Sequence, residues 1–111
     1  KIFFLLSCFV LAVSAAWAHP PELVTVTFDP ETRVVRATIT HPVNNAGKHY
    51  IFKVDVAVNG VEIIEQKISR QSDPMQEKFV FRIPDIKAGD TITVEAYCNI
   101  SGKSVGAVEV K

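Results

Sequence analysis

From residue 23 onwards, hydrophobic and polar residues alternate in short runs along the chain. The clearest runs cover 34–40, 50–58 and 91–98, where apolar side chains occupy every second position. Alternation with a period of two places successive side chains on opposite faces of a strand, so each run predicts a β-strand with one buried face. The same pattern, less regular, predicts four further strands at 23–28, 61–68, 78–83 and 104–110.

Polar segments separate these predicted strands. Asn59-Gly60 predicts a two-residue type I′ hairpin, because both residue types tolerate the positive φ that this turn requires. Asp29-Pro30 predicts a type I turn after the first strand. Segments 41–49 and 69–77 are too long and too polar for tight turns and are expected to be loops. Seven short strands without a helical segment predict an all-β fold, an immunoglobulin-like antiparallel β-sandwich of about seven strands.

Aromatic residues at strand spacing are expected in the core of this sandwich. Phe79 and Phe81 alternate with Lys78, Val80 and Arg82 in the fifth strand. In the third strand, Tyr50 and Phe52 lie at every second position, with Lys53 and Asp55 on the other face. The period of two predicts that Tyr50 and Phe52 share the buried face with the valines that follow them.

Residues 1–18 have the pattern of a secretory signal peptide. Lys1 precedes an apolar run, and Ala16-Trp17-Ala18 puts small residues at the third and first positions before a cut at His19. The run is shorter than the roughly 20 residues that span a bilayer. We therefore expect a periplasmic or secreted protein, with one domain over residues 19–111 and no membrane attachment after cleavage.

Composition narrows the function classes. The chain has 111 residues, 48% of them hydrophobic, and its 12 Lys+Arg balance 12 Asp+Glu. Without a basic excess, a nucleic-acid partner is not expected. Only one cysteine, Cys98, follows the signal peptide, so no internal disulfide can form. A lone thiol in an oxidising compartment is buried and inert, paired between chains, or bound to a ligand.

Four side chains with metal-binding chemistry fall at or near strand ends: His19, His41, His49 and Cys98. Imidazole nitrogen and thiolate sulfur together suit iron, zinc or copper. The ends of antiparallel strands can gather at one rim of a sandwich, which would bring the four side chains together. Their spacing is not a compact motif, however, and three histidines and one cysteine are also ordinary for a domain of this size.

Two strings resemble the iron domain of the desulfoferrodoxin and neelaredoxin family, the superoxide reductases. They are His41-Pro42 followed by Lys48-His49-Tyr50-Ile51, and Tyr97-Cys98-Asn99-Ile100 followed by Gly102-Lys103. The resemblance covers nearly all of residues 19–111. It implies an immunoglobulin-like sandwich with one non-haem iron, Fe2+/Fe3+, that reduces superoxide to hydrogen peroxide with electrons from an unidentified donor.

The resemblance also implies residue roles. His19, His41 and His49 resemble equatorial ligands of the iron, and Cys98 resembles the axial thiolate. Lys48 resembles the family's lysine, a cation that attracts superoxide and helps to protonate the bound peroxide. The chain departs from the family at Ser101, where a further ligand histidine is expected, so the equatorial plane lacks one nitrogen donor.

Two other interpretations remain open. Cleavage before His19 would leave a free amine beside an imidazole, a chelating pair that copper favours, so the protein could carry or sense copper or another metal. Alternatively, the domain could be a metal-free immunoglobulin-like interaction module. The sequence predicts neither the electron donor nor the oligomeric state.

Overall fold

The computed structural model describes residues 19–111. The predicted signal peptide, residues 1–18, lies outside the described residues. In the described part, the seven strands in chain order are β1 (Leu23–Asp29), β2 (Val34–Thr40), β3 (Ile51–Val58), β4 (Val61–Lys67), β5 (Gln76–Arg82), β6 (Thr91–Cys98) and β7 (Lys103–Glu109). A search of these residues for a helix long and apolar enough to cross a membrane finds none.

The strands form two antiparallel sheets. One contains β1, β2 and β5 in that order, and the other has the order β4-β3-β6-β7. The predicted all-β, immunoglobulin-like sandwich is therefore confirmed. The fourth strand pairs with β3 rather than with β5, so the seven strands divide into three and four.

The core consists of the inward-facing residues of both sheets. In β2, Val35, Ala37 and Ile39 are buried, and in β6, Ile92, Val94, Ala96 and Cys98 are buried while their neighbours are partly exposed. Full burial stabilises each valine or isoleucine by roughly 1.5–3 kcal/mol relative to exposure. The two sheets therefore form a packed framework from which the strand ends project.

The predicted Asn59-Gly60 hairpin is present between β3 and β4. Asn59 has φ 52° and Gly60 has φ 82°, the two positive values that a type I′ turn needs. Asp29 also begins a turn, in which its carboxylate accepts a hydrogen bond from the Glu31 amide at 2.9 Å. Both turns lie at the end of the sandwich opposite to the histidines.

Two long loops lie side by side at the other end. The first rim loop, residues 41–50, joins β2 to β3, and the second rim loop, residues 68–75, joins β4 to β5. Backbone hydrogen bonds connect them: the His41 amide donates to the Met75 carbonyl at 3.0 Å, and the Val43 amide donates to the Pro74 carbonyl at 2.7 Å. The Gln71 amide donates to the Ala46 carbonyl at 3.0 Å. These bonds fix the backbone of the two rim loops relative to each other, although neither loop contains regular secondary structure.

The prediction for the start of the third strand is wrong. The pairing of β3 with β6 shifts between Ile51 and Lys53, which leaves Phe52 as an extra residue in a bulge. Ile51 is consequently buried, whereas Phe52 lies only partly buried, its ring centroid 6.2 Å from that of Tyr97 on the outer face. Tyr50 precedes the strand and is also only partly buried. Phe79 and Phe81 are buried, as predicted.

Candidate metal centre

Three imidazoles meet at the rim. His19 precedes β1, His41 directly follows β2, and His49 lies just before β3. The ring centroids are 5.0 Å apart for His19 and His41, 5.1 Å for His19 and His49, and 4.7 Å for His41 and His49. One ligand atom from each histidine lies within 4.8 Å of the other two. The three nitrogens can therefore hold a metal ion together.

Cys98 lies at the edge of this group. It ends β6 and pairs with Ile51 of β3, which places its sulfur beside the first rim loop. Its Sγ is 3.1 Å from Nε2 of His49, and the Ile100 amide donates to the same sulfur at 3.4 Å. The residue is 5% exposed and its thiol is free. The fourth predicted ligand is thus at the same rim, in contact with one of the three rings.

The position of His19 is fixed by contacts of the two residues that follow it, Pro20 and Pro21. Pro20 packs against Gly102, where an added Cβ would lie 2.9 Å from the Pro20 Cβ. The Ser104 hydroxyl donates to the Pro21 carbonyl. In the His19 ring, Nε2 is 2.9 Å from the Pro42 carbonyl oxygen and Nδ1 is 3.0 Å from that of Pro20. Both ring nitrogens thus contact carbonyl oxygens, and binding of a metal by His19 would replace one of these contacts and leave the other to orient the ring.

The backbone around His49 is held by Asn99. The Asn99 side chain accepts a hydrogen bond from the Tyr50 amide at 2.8 Å and donates one to the Lys48 carbonyl at 2.9 Å. Its own backbone amide donates to the Tyr50 carbonyl at 3.0 Å. Both neighbours of His49 are therefore bonded to the residue that follows Cys98, which fixes the imidazole relative to the sulfur.

His41 is held by a second buried polar side chain, Gln71 of the second rim loop. Both residues are 0% exposed. The His41 Nδ1 is 2.5 Å from the Gln71 Oε1. The side-chain nitrogen of Gln71, Nε2, donates to the His41 backbone carbonyl at 3.1 Å. Neither Gln71 nor the clamping role of Asn99 was predicted from the sequence, because both depend on contacts between segments that are distant in the chain.

The electrostatics of the rim favour a neutral imidazole at His49. Burial lowers the pKa of His49, and the neighbouring His41 and His19 lower it further because positive charges would repel one another. Metal ions bind the neutral form of histidine. The same surroundings that disfavour a proton on His49 therefore leave its nitrogen available to a cation.

Two other predicted positions lie in the flanking loops. Lys48 is exposed, and its amide donates to the Asn45 carbonyl at 3.0 Å, so its backbone is anchored beside His49. Ser101 lies in the bend between Cys98 and Gly102 and is partly exposed. The role of Lys48, and the replacement of a ligand histidine by Ser101, stay predictions.

A second group of possible ligand atoms lies away from the rim. Carboxylate oxygens of Asp55, Glu62 and Glu65 approach one another within 4.8 Å on the outer face of the four-stranded sheet. Glu62 and Glu65 are exposed. We refer to these three residues as the carboxylate face, and to His19, His41, His49 and Cys98 as the histidine rim.

Comparison with known proteins adds no assignment. No model of a known protein family matches the chain, and no curated protein is significantly similar to it. The resemblance to the superoxide reductases therefore rests on the two short strings alone and stays a prediction.

Proposed function

We propose that the histidine rim binds one iron ion and that the protein is an exported reductase of superoxide. The observation that carries the proposal is the position of the Cys98 sulfur, 3.1 Å from one of three convergent imidazoles. Three neutral nitrogens and one thiolate are a donor set that suits a transition metal. Iron bound there would supply a one-electron couple, Fe2+/Fe3+, and a coordination position open to a small anion.

The donor set also determines what the side chains do. Cys98 has to lose its proton to act as a ligand, which a bound cation enforces. The Ile100 amide, which already donates to this sulfur, would then stabilise a thiolate. The chain offers four donors at the rim, three imidazoles and one thiol, and Ser101 stands where the resemblance expects one more imidazole.

The reaction consumes one superoxide, one electron and two protons for each hydrogen peroxide formed. An external one-electron donor has to return the electron in every cycle. Lys48 is exposed beside His49, where its charge would attract the superoxide anion. This contribution is electrostatic and should weaken as the salt concentration rises.

The test begins with anaerobic loading of the purified protein with Fe2+, followed by oxidation. The proposal predicts a visible absorption band from charge transfer between thiolate and ferric iron, together with consumption of superoxide by the reduced protein. Cys98→Ser should remove the band while the three imidazoles remain.

Three outcomes would contradict the proposal. An unchanged band in Cys98→Ser would remove the thiolate from the site. Tight binding of copper with no uptake of iron would favour a copper carrier. Absence of binding of any transition metal at micromolar concentration would favour a metal-free interaction module.

A further inference from the structure

Gln71 has every hydrogen-bonding group of its side chain occupied. Its amide nitrogen donates to the carbonyls of His41 and Asp73, both at 3.1 Å. Its Oε1 accepts from the Ile51 amide at 3.0 Å and contacts the His41 Nδ1 at 2.5 Å. An amide side chain offers two donors and two acceptor positions, so nothing is left unsatisfied although the residue is fully buried.

This network fixes the orientation of the amide. Exchanging its oxygen and nitrogen would place an N–H group against the Ile51 amide and an oxygen against two carbonyl oxygens. Each mismatch would leave a buried polar group unpaired, at a cost of about 1–3 kcal/mol. The oxygen therefore faces His41.

The orientation of Gln71 in turn determines the tautomer of His41. A carbonyl oxygen only accepts hydrogen bonds, so the His41 Nδ1 that contacts it has to carry the hydrogen. The His41 Nε2 is 3.3 Å from the His19 carbonyl oxygen, a longer contact than the 2.5 Å between Nδ1 and the Gln71 Oε1, so the shorter contact takes the hydrogen. In the neutral ring the lone pair then lies on Nε2, the nitrogen that Gln71 does not contact. A histidine side chain in water favours the opposite tautomer, with hydrogen on Nε2. In that tautomer Nε2 has no lone pair with which to bind a metal.

Gln71 also connects His41 with the strand that follows His49. Its Oε1 binds the amide of Ile51, two residues beyond His49, and its backbone amide binds Ala46 within the first rim loop. One buried residue thus contacts the backbone on both sides of the loop that carries two of the three imidazoles.

We propose that Gln71 is a positioning residue: it holds His41 with hydrogen on Nδ1, so that Nε2 is the metal-binding atom, and it sets the spacing between His41 and His49. The role of Gln71 in metal binding rests on the proposed metal centre. The assignment of the tautomer rests only on the hydrogen bonds of Gln71.

The first test is on the metal-free protein. Two-bond 1H–15N spectra of the imidazoles, recorded above pH 7, identify the protonated nitrogen of His41. The wild-type protein should show hydrogen on Nδ1, and Gln71→Leu, which has no acceptor, should lose that preference. Hydrogen on Nε2 in the wild-type protein would overturn the proposal.

The second test is zinc affinity, measured by competition with a chelator. Loss of a side chain that orients a metal-binding histidine lowers affinity by about 10–100-fold, and Gln71→Leu should fall in this range. Gln66→Leu makes the same chemical change at an exposed position of β4 and should leave affinity unchanged. Wild-type affinity in a folded Gln71→Leu would overturn the proposal.

Gln71→Glu separates positioning from structural support. A carboxyl group still accepts a hydrogen bond from the His41 Nδ1, but it cannot donate to both carbonyls, so the fold should be less stable. The proposal predicts that this variant keeps the Nδ1 tautomer and binds zinc within about threefold of wild type. An affinity as low as that of Gln71→Leu would show that the residue acts only through stability.

The two proposals can fail separately. If Gln71→Leu does not fold, the wild-type spectrum and Gln71→Glu still decide the question. A wild-type protein that has hydrogen on Nδ1 but binds no zinc, iron or copper would overturn the metal centre, and with it the purpose of Gln71, while the tautomer assignment would stand.

Discussion

The histidine rim and the carboxylate face both bring three ligand-type side chains within 4.8 Å of one another, yet they differ in how those side chains are held. At the rim, His41 is fully buried and is bound by Gln71, and the backbone on each side of His49 is bound by Asn99. On the carboxylate face, Glu62 and Glu65 are exposed.

Two of the carboxylates on the carboxylate face form ion pairs with lysine side chains. The Lys53 ammonium is 3.5 Å from the Asp55 Oδ2, and that of Lys67 is 3.5 Å from the Glu65 Oε1. The Asp55 Oδ1 is buried and has no hydrogen-bond partner within the described residues. Closely spaced side chains of metal-binding type therefore do not by themselves make a metal site. Orientation by buried hydrogen bonds, which reduces the entropy lost on binding, distinguishes the rim.

The largest difference between the two regions should come from removing one of the three imidazoles. His41→Ala deletes a fully buried ring and leaves the Gln71 oxygen with the Ile51 amide as its remaining partner, so we expect a loss of about 3 kcal/mol in unfolding free energy. Zinc affinity should fall by about 100-fold or more, beyond what the loss of an orienting residue produces. Chemical denaturation and chelator competition measure the two effects.

The matched change on the other region is the double variant Glu62→Gln, Glu65→Gln. Both residues are exposed, so the free energy of unfolding should stay within about 0.5 kcal/mol of wild type and zinc affinity should not change. A comparable loss of zinc in this variant would mean that the carboxylates, and not the imidazoles, hold the ion.

A smaller effect should follow from disturbing the support of His19. Gly102 has φ 75°, and a Cβ there would lie 2.9 Å from the Pro20 Cβ. Gly102→Ala should therefore displace the segment that carries His19 and lower zinc affinity, in addition to a backbone strain of about 1 kcal/mol.

Gly89→Ala is the control for that strain. Gly89 has φ 91°, but open space surrounds the position where its Cβ would lie, at the other end of the sandwich. It should lose similar stability and keep wild-type zinc affinity. Equal affinities in the two alanine variants would show that the contact between Gly102 and Pro20 does not position His19.

Asn99→Ala should have a comparable effect through His49. It removes two hydrogen bonds from the side chain to the first rim loop and should lower the unfolding free energy by about 1–2 kcal/mol. Zinc affinity should fall as His49 and Cys98 lose their fixed separation. Asn44→Ala, at an exposed position of the same loop, should change neither quantity; a loss there as large as in Asn99→Ala would count against a specific clamp.

The smallest expected effect is on pH dependence. Because burial and the neighbouring imidazoles lower the pKa of His49 in the folded protein, the unfolded chain takes up a proton first as the pH falls. The metal-free protein should therefore be most stable above the ordinary histidine pKa of about 6.5 and lose stability as the pH falls below it. Denaturation at several pH values should show a shallower decline in His49→Gln, and an identical decline would exclude this contribution.

The framework could be predicted from local patterns in the sequence, whereas the four side chains were assigned as ligands chiefly from the family resemblance. Alternation gave the seven strands, and the histidines and Cys98 stand at or near their ends, so antiparallel pairing brings them to one rim. The bulge at Phe52 could not be predicted, because a single extra residue leaves the alternation on either side intact while it reverses the faces.

The supporting residues were beyond the sequence for a different reason. Gln71 lies in a polar loop and acts on His41, a contact across 30 positions of the chain. Its role depends on the burial of its side chain, and no pattern in a polar loop sequence predicts which side chain is buried. Asn99 was visible only as part of a family-like string, and its bonds to Lys48 and Tyr50 depend on how the two segments meet.

X-ray absorption at the zinc edge of the zinc-loaded protein shows directly which atoms hold the ion. A site of imidazoles and one thiolate should show one sulfur at about 2.3 Å, nitrogen ligands at about 2.0–2.1 Å and the multiple-scattering signature of imidazole. The sulfur contribution should disappear in Cys98→Ser. A wild-type spectrum with oxygen ligands only, or without sulfur, would contradict the claim that the histidine rim binds one ion through imidazole nitrogen and thiolate together.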